Sequence, residues 1–232
     1  MANNTNDIFN QEFSRRYDEY NEPLNAVSNN LRFLISVLLR HLPVNARILC
    51  VGVGTGTEIS SLARQHSGWS FTGIDPSPDM LAVCAEKMHQ EGCYDRCTLI
   101  EGYLSDVPAT GHFDAVLCLL VTHFIQDHRR LDIYEQMYAQ LVTGGSMIVA
   151  EIAGDMDSSD FDEMLASWAG LHSVASNIER DPEEIRSQMI ERLLLLPPAQ
   201  TERLISEAGF SSVQQFFQSL LIRGWVARKP VS

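Results

Sequence analysis

Basic residues are scarce in this chain. It contains 17 Lys and Arg against 30 Asp and Glu, which gives a formal net charge of -13. Proteins that grip nucleic acid normally supply Lys and Arg to replace the counterions around the phosphates. We therefore expect no direct binding to nucleic acid, and a small-molecule partner is favoured. The sequence does not fix the oligomeric state and leaves a homodimer open.

Long apolar runs are also missing. Runs such as 115–121 and 193–196 fall far short of the roughly 20 residues that cross a bilayer. The first residues, MANNTNDIFNQEF, have no basic start followed by an apolar stretch, so no secretory signal is expected. We expect a cytoplasmic protein that does not span a membrane.

Cysteine is sparse and its count is odd. Cys50 and Cys118 lie in strand-like runs, where thiols act as small hydrophobic groups. Cys93 and Cys97 have no second Cys or His pair at zinc spacing. We expect reduced thiols, no disulfide framework and no metal site.

What the sequence does contain is a regular alternation of strand and helix signals from about residue 46. Five apolar runs are predicted to be strands: 47–53, 70–75, 97–101, 113–120 and 146–152. Helical segments between them favour a parallel, doubly wound sheet. Two later runs, 212–217 and 220–226, alternate like antiparallel strands. The prediction is an α/β, Rossmann-like, seven-stranded sheet that is mostly parallel and ends in an antiparallel hairpin.

The length of 232 residues, 45% of them apolar, fits one domain with appendages. Within 1–232 we expect four segments: a helical N-terminal cap (1–45), a cofactor-binding core (46–154), a helical lid insertion (155–200), and a terminal helix with the hairpin (201–232). Ligands of open α/β sheets bind beyond the carboxyl ends of the strands, so the two helical appendages are candidate lids. The alternative is that they only cover apolar surface.

The strongest local signal is the glycine-rich stretch at 51–57, VGVGTGT. Glycines directly after an apolar strand allow a sharp turn and a close approach of the backbone to a ligand. Asp75 follows about twenty residues later at the end of the second strand, where a carboxylate can accept both ribose hydroxyl hydrogens. The pair predicts a nucleoside cofactor, and the spacing from loop to acid alone does not say which one.

The glycines fall at Gly52, Gly54 and Gly56. The stretch therefore resembles the G-x-G-x-G motif of class I S-adenosylmethionine-dependent methyltransferases, and not the G-x-G-x-x-G of nicotinamide and flavin enzymes. The resemblance covers nearly the whole chain. It implies S-adenosylmethionine (SAM) as cofactor, S-adenosylhomocysteine (SAH) as product, and in-line methyl transfer to a small-molecule acceptor. The cofactor-binding residues that it implies are Gly52, Val53, Gly54, Thr55, Gly56, Asp75, Pro76, Met80, Gly102, Tyr103, Leu104 and Leu119.

The same resemblance assigns roles within that set. Asp75 would hold the ribose hydroxyls, Met80 would pack on the adenine, and Tyr103 with Leu104 would line the adenine pocket. The exit of the fourth strand, 119–123, would face the methionine end.

Two further features bear on the cofactor site. The stretch 13–18, FSRRYD, resembles the N-terminal helix of ubiquinone-biosynthesis-type relatives, in which the tyrosine helps to close the site, so Tyr17 is a contact candidate. Many family members carry an acid two residues before the first glycine, where this chain has Cys50. Glu58, Thr57 or backbone carbonyls are the alternatives for holding the cofactor's amino group.

Methyl transfer is a displacement at a sulfonium carbon, so the enzyme mainly positions the acceptor and supplies a base where the acceptor is protonated. His123, directly after the fourth strand, is the candidate base because imidazole titrates near neutrality; the alternative is a structural or pocket-lining histidine. Glu151 ends the fifth strand and could bind a substrate cation or orient a water, or be a solvated strand end. Tyr17 completes the catalytic candidates.

Three residues of the insertion are substrate-binding candidates. Trp168 and His172 are one helical turn apart and could contact the substrate, although such a stripe is also typical of core packing. Arg186 follows from a weaker resemblance to carboxy-S-adenosylmethionine synthases of the tRNA wobble-uridine pathway, in which an arginine of the insertion holds the extra carboxylate. That resemblance also includes 28–29 and 208–210, but Val27 stands where we expect a tyrosine.

The hypotheses therefore number three. Methyl transfer to a small molecule is favoured. A carboxy-S-adenosylmethionine synthase-like enzyme and a non-catalytic protein that binds an adenosine ligand are the alternatives. A nicotinamide-dependent oxidoreductase is disfavoured by the glycine spacing.

Overall fold

A computed structural model describes residues 11–107 and 112–231, and its centre is a seven-stranded sheet in the order β3-β2-β1-β4-β5-β7-β6. The strands are β1 (Arg47–Val51), β2 (Ser70–Asp75), β3 (Cys97–Glu101), β4 (Phe113–Leu119), β5 (Leu141–Ile152), β6 (Ser211–Ser219) and β7 (Ile222–Arg228). The first five pair in parallel, whereas β7 is antiparallel to both β5 and β6. The predicted Rossmann-like fold is confirmed.

Helices lie on both faces of this sheet. They are α1 (Gln11–Asn21), α2 (Asn25–Leu39), α3 (Thr57–Gln65), α4 (Pro78–Gln90), α5 (Asp127–Gln140), α6 (Ser159–Ser176), α7 (Pro182–Arg192) and α8 (Pro198–Glu207). None of the helices described is long and apolar enough to cross a membrane.

The first strand shows how the sheet is buried on both sides. Successive side chains of a strand point to opposite faces. Ile48 and Cys50 therefore pack in a core with α2, α3, α4 and α6, while Leu49 and Val51 pack in a second core with α5 and α8. This double burial explains why β1 is a continuous apolar run with no alternation of polar residues.

The fourth helix begins as its sequence chemistry predicts. Ser77 is the N-cap, and its Oγ accepts a hydrogen bond from the Met80 backbone N–H at 3.3 Å. Pro78 occupies the first helical position, where its missing N–H costs nothing. This cap fixes the turn that follows Asp75 at the end of β2.

The fifth strand is longer than expected. It begins at Leu141, which pairs with Phe113, and the register shifts before the regular pairing resumes at Ser146. The double glycine at 144–145 therefore lies inside the strand and not before it. β6 is also longer than its predicted run, whereas β7 has the predicted length but begins two residues later, because their pairing runs from Ser219 with Ile222 to Ser211 with Arg228.

The two appendages are helical and meet each other. α6 contacts α7 and also the turn at 22–24 that joins α1 to α2. Leu31 and Ile35 of α2 share one apolar cluster with Phe161 and Leu165 of α6. The N-terminal segment and the insertion therefore bury apolar surface together on one face of the sheet. Residues 1–10 of the expected N-terminal cap lie outside the described residues.

Candidate cofactor and active site

The glycine-rich loop joins β1 to α3 with three left-handed glycines. Gly52, Gly54 and Gly56 have φ angles of +66°, +51° and +74°, which other residues rarely adopt. A Cβ on Gly52 would lie 2.4 Å from a Val121 methyl group, and one on Gly56 would lie 2.4 Å from Cys84 Sγ. A Cβ on Gly54 would meet nothing within 4 Å. The outer two glycines thus serve internal packing, whereas Gly54 borders open space that a ligand can approach.

Asp75 lies at the end of β2 and holds this loop. It is 8% exposed. Its Oδ2 accepts from the Gly54 N–H and its Oδ1 from the Ser77 N–H, both at 2.9 Å. Burial raises the pKa of Asp75, and these two hydrogen bonds oppose that shift. A carboxylate offers about four acceptor positions, so two remain that can accept ribose hydroxyls, and Pro76 beside it is partly exposed.

The loop after β3 borders the same strand end. The Gly102 N–H donates to the Asp75 backbone oxygen at 3.1 Å. Tyr103 follows with 60% of its side chain exposed, whereas Leu104 and Met80 are buried. An exposed aromatic ring offers the kind of surface on which a planar base can pack. The start of this loop is therefore fastened to the end of β2 beside Asp75.

The first helix is fastened to the glycine loop through Asp18. Thr55 Oγ1 donates to Asp18 Oδ1 at 2.8 Å, and Lys87 Nζ of α4 lies 2.7 Å from Asp18 Oδ2. The same Nζ is 3.1 Å from Thr57 Oγ1. These contacts join α1, the loop and α4 at the position where α1 covers the loop.

Tyr17 and Glu58 lie close to Asp75 on this side of the loop. Burial, and then the charges of Glu58 and other nearby carboxylates, raise the pKa of Tyr17, so the phenol is neutral. Burial raises the pKa of Glu58 to about 7, although Lys87 and Arg32 favour its charged form. A partly buried carboxylate in this position is suited to hold an ammonium group.

Cys50 does not replace the acid that many family members carry at its position. Its thiol is fully buried in the core, and burial raises its pKa well above the usual value. The charge of Glu58 raises this pKa further. Glu58, from the first turn of α3, is a carboxylate on the same side of the glycine loop.

His123 lies in the short turn after β4, and its environment does not support a general base. The side chain is 3% exposed, and its Nδ1 accepts from the Ile152 N–H at 3.2 Å. Burial, together with the charge of Arg130, lowers the pKa of His123 to about 3. The prediction that His123 titrates near neutrality is therefore wrong. The free-energy cost of charging a buried imidazole keeps the ring neutral. Leu119, just before this turn, is partly buried.

Glu151 belongs to a buried network and does not face the crevice. Its Oε2 accepts from Thr122 Oγ1 at 2.5 Å and from Arg130 Nη1 at 3.0 Å, while its Oε1 accepts from Thr201 Oγ1 at 2.6 Å. Glu151 and Arg130 are both 0% exposed. The cation that Glu151 binds is therefore Arg130. Glu151 is neither a site for a substrate cation nor a solvated strand end, as the sequence had suggested.

Arg186 is already engaged by acids of the insertion. It forms an ion pair with Asp162, its Nε lies 3.6 Å from Glu183 Oε2, and its guanidinium lies 5.3 Å from the centre of the Phe161 ring. These contacts neutralise the positive charge of Arg186, which would be needed to bind the extra carboxylate of a carboxylated cofactor.

Trp168 and His172 are in contact with each other on α6. Their rings are 5.0 Å apart in an edge-on arrangement. Trp168 is 5% exposed and belongs to the same apolar cluster as Leu165, so packing explains its position better than contact with a substrate. His172 is partly exposed, and burial with the charge of Arg180 lowers its pKa.

One known protein family matches the part of the chain that contains the glycine loop, Asp75 and the loop after β3. The family described as a methyltransferase domain matches residues 48–145, which run from β1 into β5. The chain carries a class I SAM-dependent methyltransferase domain. All the cofactor-binding residues inferred from the sequence lie within this domain, whereas Tyr17, Arg186, Trp168 and His172 lie outside it.

Relatives extend the likeness beyond this methyltransferase domain. A carboxy-S-adenosyl-L-methionine synthase of Desulfotalea psychrophila is 22% identical over 97% of this chain and 89% of its own length. A 3-hydroxy-5-methyl-1-naphthoate 3-O-methyltransferase of Streptomyces sahachiroi is 31% identical over 49% of this chain and 32% of its own. The crystal structure of magnesium protoporphyrin IX methyltransferase from Synechocystis, with bound SAH, superposes with a TM-score of 0.70 at 16% identity over 97% of both chains. This last likeness shows the fold.

Sequence reasoning missed the partners that hold the site together. Lys87 and Arg130 carry no motif, and their partners Asp18 and Glu151 lie 69 and 21 residues away in the chain. Asp18 ends the FSRRYD stretch, and Glu151 is a candidate at the end of the fifth predicted strand. Lys87 and Arg130 could be recognised only in the tertiary structure, where they meet partners that are distant in the sequence.

Proposed function

We propose that this chain transfers the methyl group of SAM to a small-molecule acceptor. The observation that carries the proposal is the pairing of Gly54 and Asp75. Gly54 borders open space, and Asp75 accepts the Gly54 N–H while keeping acceptor positions for two hydroxyl groups. A ribose is the cofactor fragment that fits this arrangement at the end of β2.

The remaining cofactor contacts follow from the positions around this pair. Tyr103, Met80 and Leu104 provide the surface for the adenine, and Glu58 provides the carboxylate for the amino group. Bound SAM supplies an electrophilic methyl group on a sulfonium. The protein brings the acceptor into line and excludes water with α1 and the insertion. With His123 neutral and Glu151 paired, we assign no general base, so the acceptor arrives deprotonated or loses its proton to water.

Charge favours SAM over its carboxylated form. Asp18, Glu58 and Asp75 all lie close to the loop, and SAM carries a net positive charge. An extra carboxylate would remove that charge, and Arg186, which a carboxylated cofactor would need, is paired with Asp162 and Glu183. The net charge of -13 also disfavours a polyanionic acceptor.

A carboxy-S-adenosylmethionine synthase-like activity is the second candidate. It is supported by the similarity to such enzymes over almost the whole chain, whereas the naphthoate methyltransferase matches only about half. The two activities make different predictions for which ligand the protein retains.

Native mass spectrometry of the purified chain separates the candidates. We expect retention of SAM and SAH, little retention of carboxy-S-adenosylmethionine, and none of NAD. Asp75→Ala should lose SAM, whereas Asp79→Ala, a control on the first turn of α4, should keep it. Retention of a carboxylated ligand by the protein as purified would favour the second candidate, and retention of NAD alone would refute both. Consumption of methyl-labelled SAM with a panel of small acceptors then tests the transfer itself.

A further inference from the structure

A polar groove lies between α2 and α3, with a volume of about 330 Å³. The residues that line it are Asn29, Arg32, Thr57, Ser61, Arg64 and Gln65. Among them are two arginines, and no acidic or apolar residue. The charged residues of this lining are thus both cationic, in a chain with a net charge of -13.

Arg32 supplies positive charge that is not matched by an ion pair. Its Nη2 donates to Asn29 Oδ1 at 2.8 Å, and the described part of the chain contains no carboxylate within ion-pair distance of it. Two acids act on Arg32 from a greater distance, Glu58 and Asp18, and Asp18 already contacts Thr55 and Lys87. Arg32 is half-buried, so water screens its charge less than at an open surface.

Arg64 reaches the same groove from α3. Its Nη2 donates to Ser60 Oγ at 2.6 Å and lies 3.1 Å from Glu91 Oε1, and its Nε lies 3.3 Å from Glu91 Oε2. A guanidinium has five N–H donors. The contacts described for Arg64 use the Nε and Nη2 edge, so its Nη1 edge is left for a ligand.

We propose that this groove binds an oxyanion group, a carboxylate or a phosphate, of a small molecule. Guanidinium groups recognise both anions through paired hydrogen bonds, and the Asn29 and Gln65 amides with the Thr57 and Ser61 hydroxyls supply neutral donors. Thr57 also follows the glycine loop, so the groove adjoins the cofactor site without sharing Asp75. The inference goes beyond methyl transfer and does not depend on it.

The test is a titration of the isotope-labelled full chain followed by amide NMR shifts at low ionic strength, with inorganic phosphate and, separately, citrate as probes. Each titration is run with and without saturating SAH, which prevents the probe from entering the cofactor site. We expect saturable shifts in 29–32 and 57–65 with at least one probe. Arg32→Gln should weaken that binding about tenfold, the effect of losing one charged hydrogen-bonded pair. Arg40→Gln, a change to an exposed arginine just after the same helix, should leave it within about twofold.

Failure of the groove proposal can be distinguished from failure of the proposed methyl transfer. Tighter binding of phosphate or of citrate identifies the group that the groove accepts. The proposal is overturned if neither probe gives a saturable shift up to about 10 mM, if Arg40→Gln weakens binding as much as Arg32→Gln, or if SAH abolishes the shifts. Probe binding to a chain that binds no SAM would support the groove and contradict methyl transfer. Unchanged circular dichroism of both variants confirms that they are folded.

Discussion

Asp75 and Glu58 are carboxylates beside the same loop, but different groups stabilise their negative charges. Asp75 accepts two backbone N–H groups, which stabilise its charge and tie it to the loop. Burial raises the pKa of Glu58 to about 7, although its own backbone N–H and the charges of Lys87 and Arg32 favour the charged form. We therefore expect Asp75 to act on the geometry of the loop and Glu58 to act on the pH dependence of binding.

Asp75→Asn should weaken SAM binding by about 10-fold to 100-fold, because the amide loses the charge and presents an N–H group to another donor. Isothermal titration with SAM measures the change. Asp79→Asn, on the following helix, is the matched control and should bind like the wild type. Equal affinities of the wild type and both variants would show that Asp75 does not contact SAM.

Glu58 predicts a specific response to pH. Its carboxyl has a pKa of 4.5 in the unfolded chain and about 7 in the folded one. The folded state therefore binds more protons between these values, and the stability of the ligand-free protein should fall as pH rises from about 5 to 7, by at most about 1.4 kcal/mol per pH unit. Urea unfolding at several pH values measures this slope, and Glu58→Gln should flatten it.

Binding should show the opposite trend. An ammonium group prefers the charged carboxylate, so SAM affinity should rise as pH increases through about 7 in the wild type. The same rise in Glu58→Gln would show that another group holds the amino end of the cofactor.

At the scale of elements, the carboxyl edge of the sheet is assembled around Arg130 and Glu151. Glu151 of β5 joins the turn after β4, α5 and the start of α8. Arg130 also donates to the Leu194 backbone oxygen, and the Leu194 N–H donates to the His123 oxygen at 2.8 Å. The end of the insertion is thus attached to the turn that carries His123.

Arg130→Met should lower the free energy of unfolding by about 3–5 kcal/mol, because it leaves Glu151 buried without a cation. Denaturant unfolding measures the loss, and Arg129→Met, a change to the exposed neighbour, should cost less than about 0.5 kcal/mol. The double variant Arg130→Met with Glu151→Leu should recover part of the loss. A small effect of Arg130→Met would mean that water reaches the Glu151 carboxylate.

On the scale of the whole molecule, α1 is attached to the methyltransferase domain in part through an exposed acid. Asp18 is half exposed, and it links α1 to the loop through Thr55 and to α4 through Lys87. A ligand that enters under α1 must break or bypass them. The closure of the cofactor site is therefore adjustable, in contrast to the buried edge around Arg130.

Asp18→Asn should speed the dissociation of SAH about threefold to tenfold, since an exposed ion pair and one hydroxyl hydrogen bond contribute about 1 kcal/mol together. Stopped-flow displacement measures this rate. In the wild type the rate should also rise with salt, and in the variant much less. Glu19→Gln, the exposed neighbour, is the control. An unchanged rate would mean that α1 does not limit exit.

The fold and the cofactor motif could be predicted from the sequence because both depend on local spacing. Apolar runs separated by helical segments determine the sheet, and the glycines at 52, 54 and 56 allow a backbone turn with φ angles that other residues rarely adopt. Asp75 follows from the same local order, since it ends the next strand. The fold class and the methyltransferase assignment made from these features are confirmed.

The roles of His123, Glu151 and Arg186 were decided by the tertiary structure. Each stands at a position that suits chemistry, but packing sets its charge: burial and then Arg130 keep His123 neutral, Arg130 pairs with Glu151, and Asp162 pairs with Arg186. Sequence spacing specifies backbone conformation and which face of an element is apolar. It does not specify which distant polar group meets a side chain after the elements pack, and that partner determines whether the side chain stabilises the fold or faces a ligand.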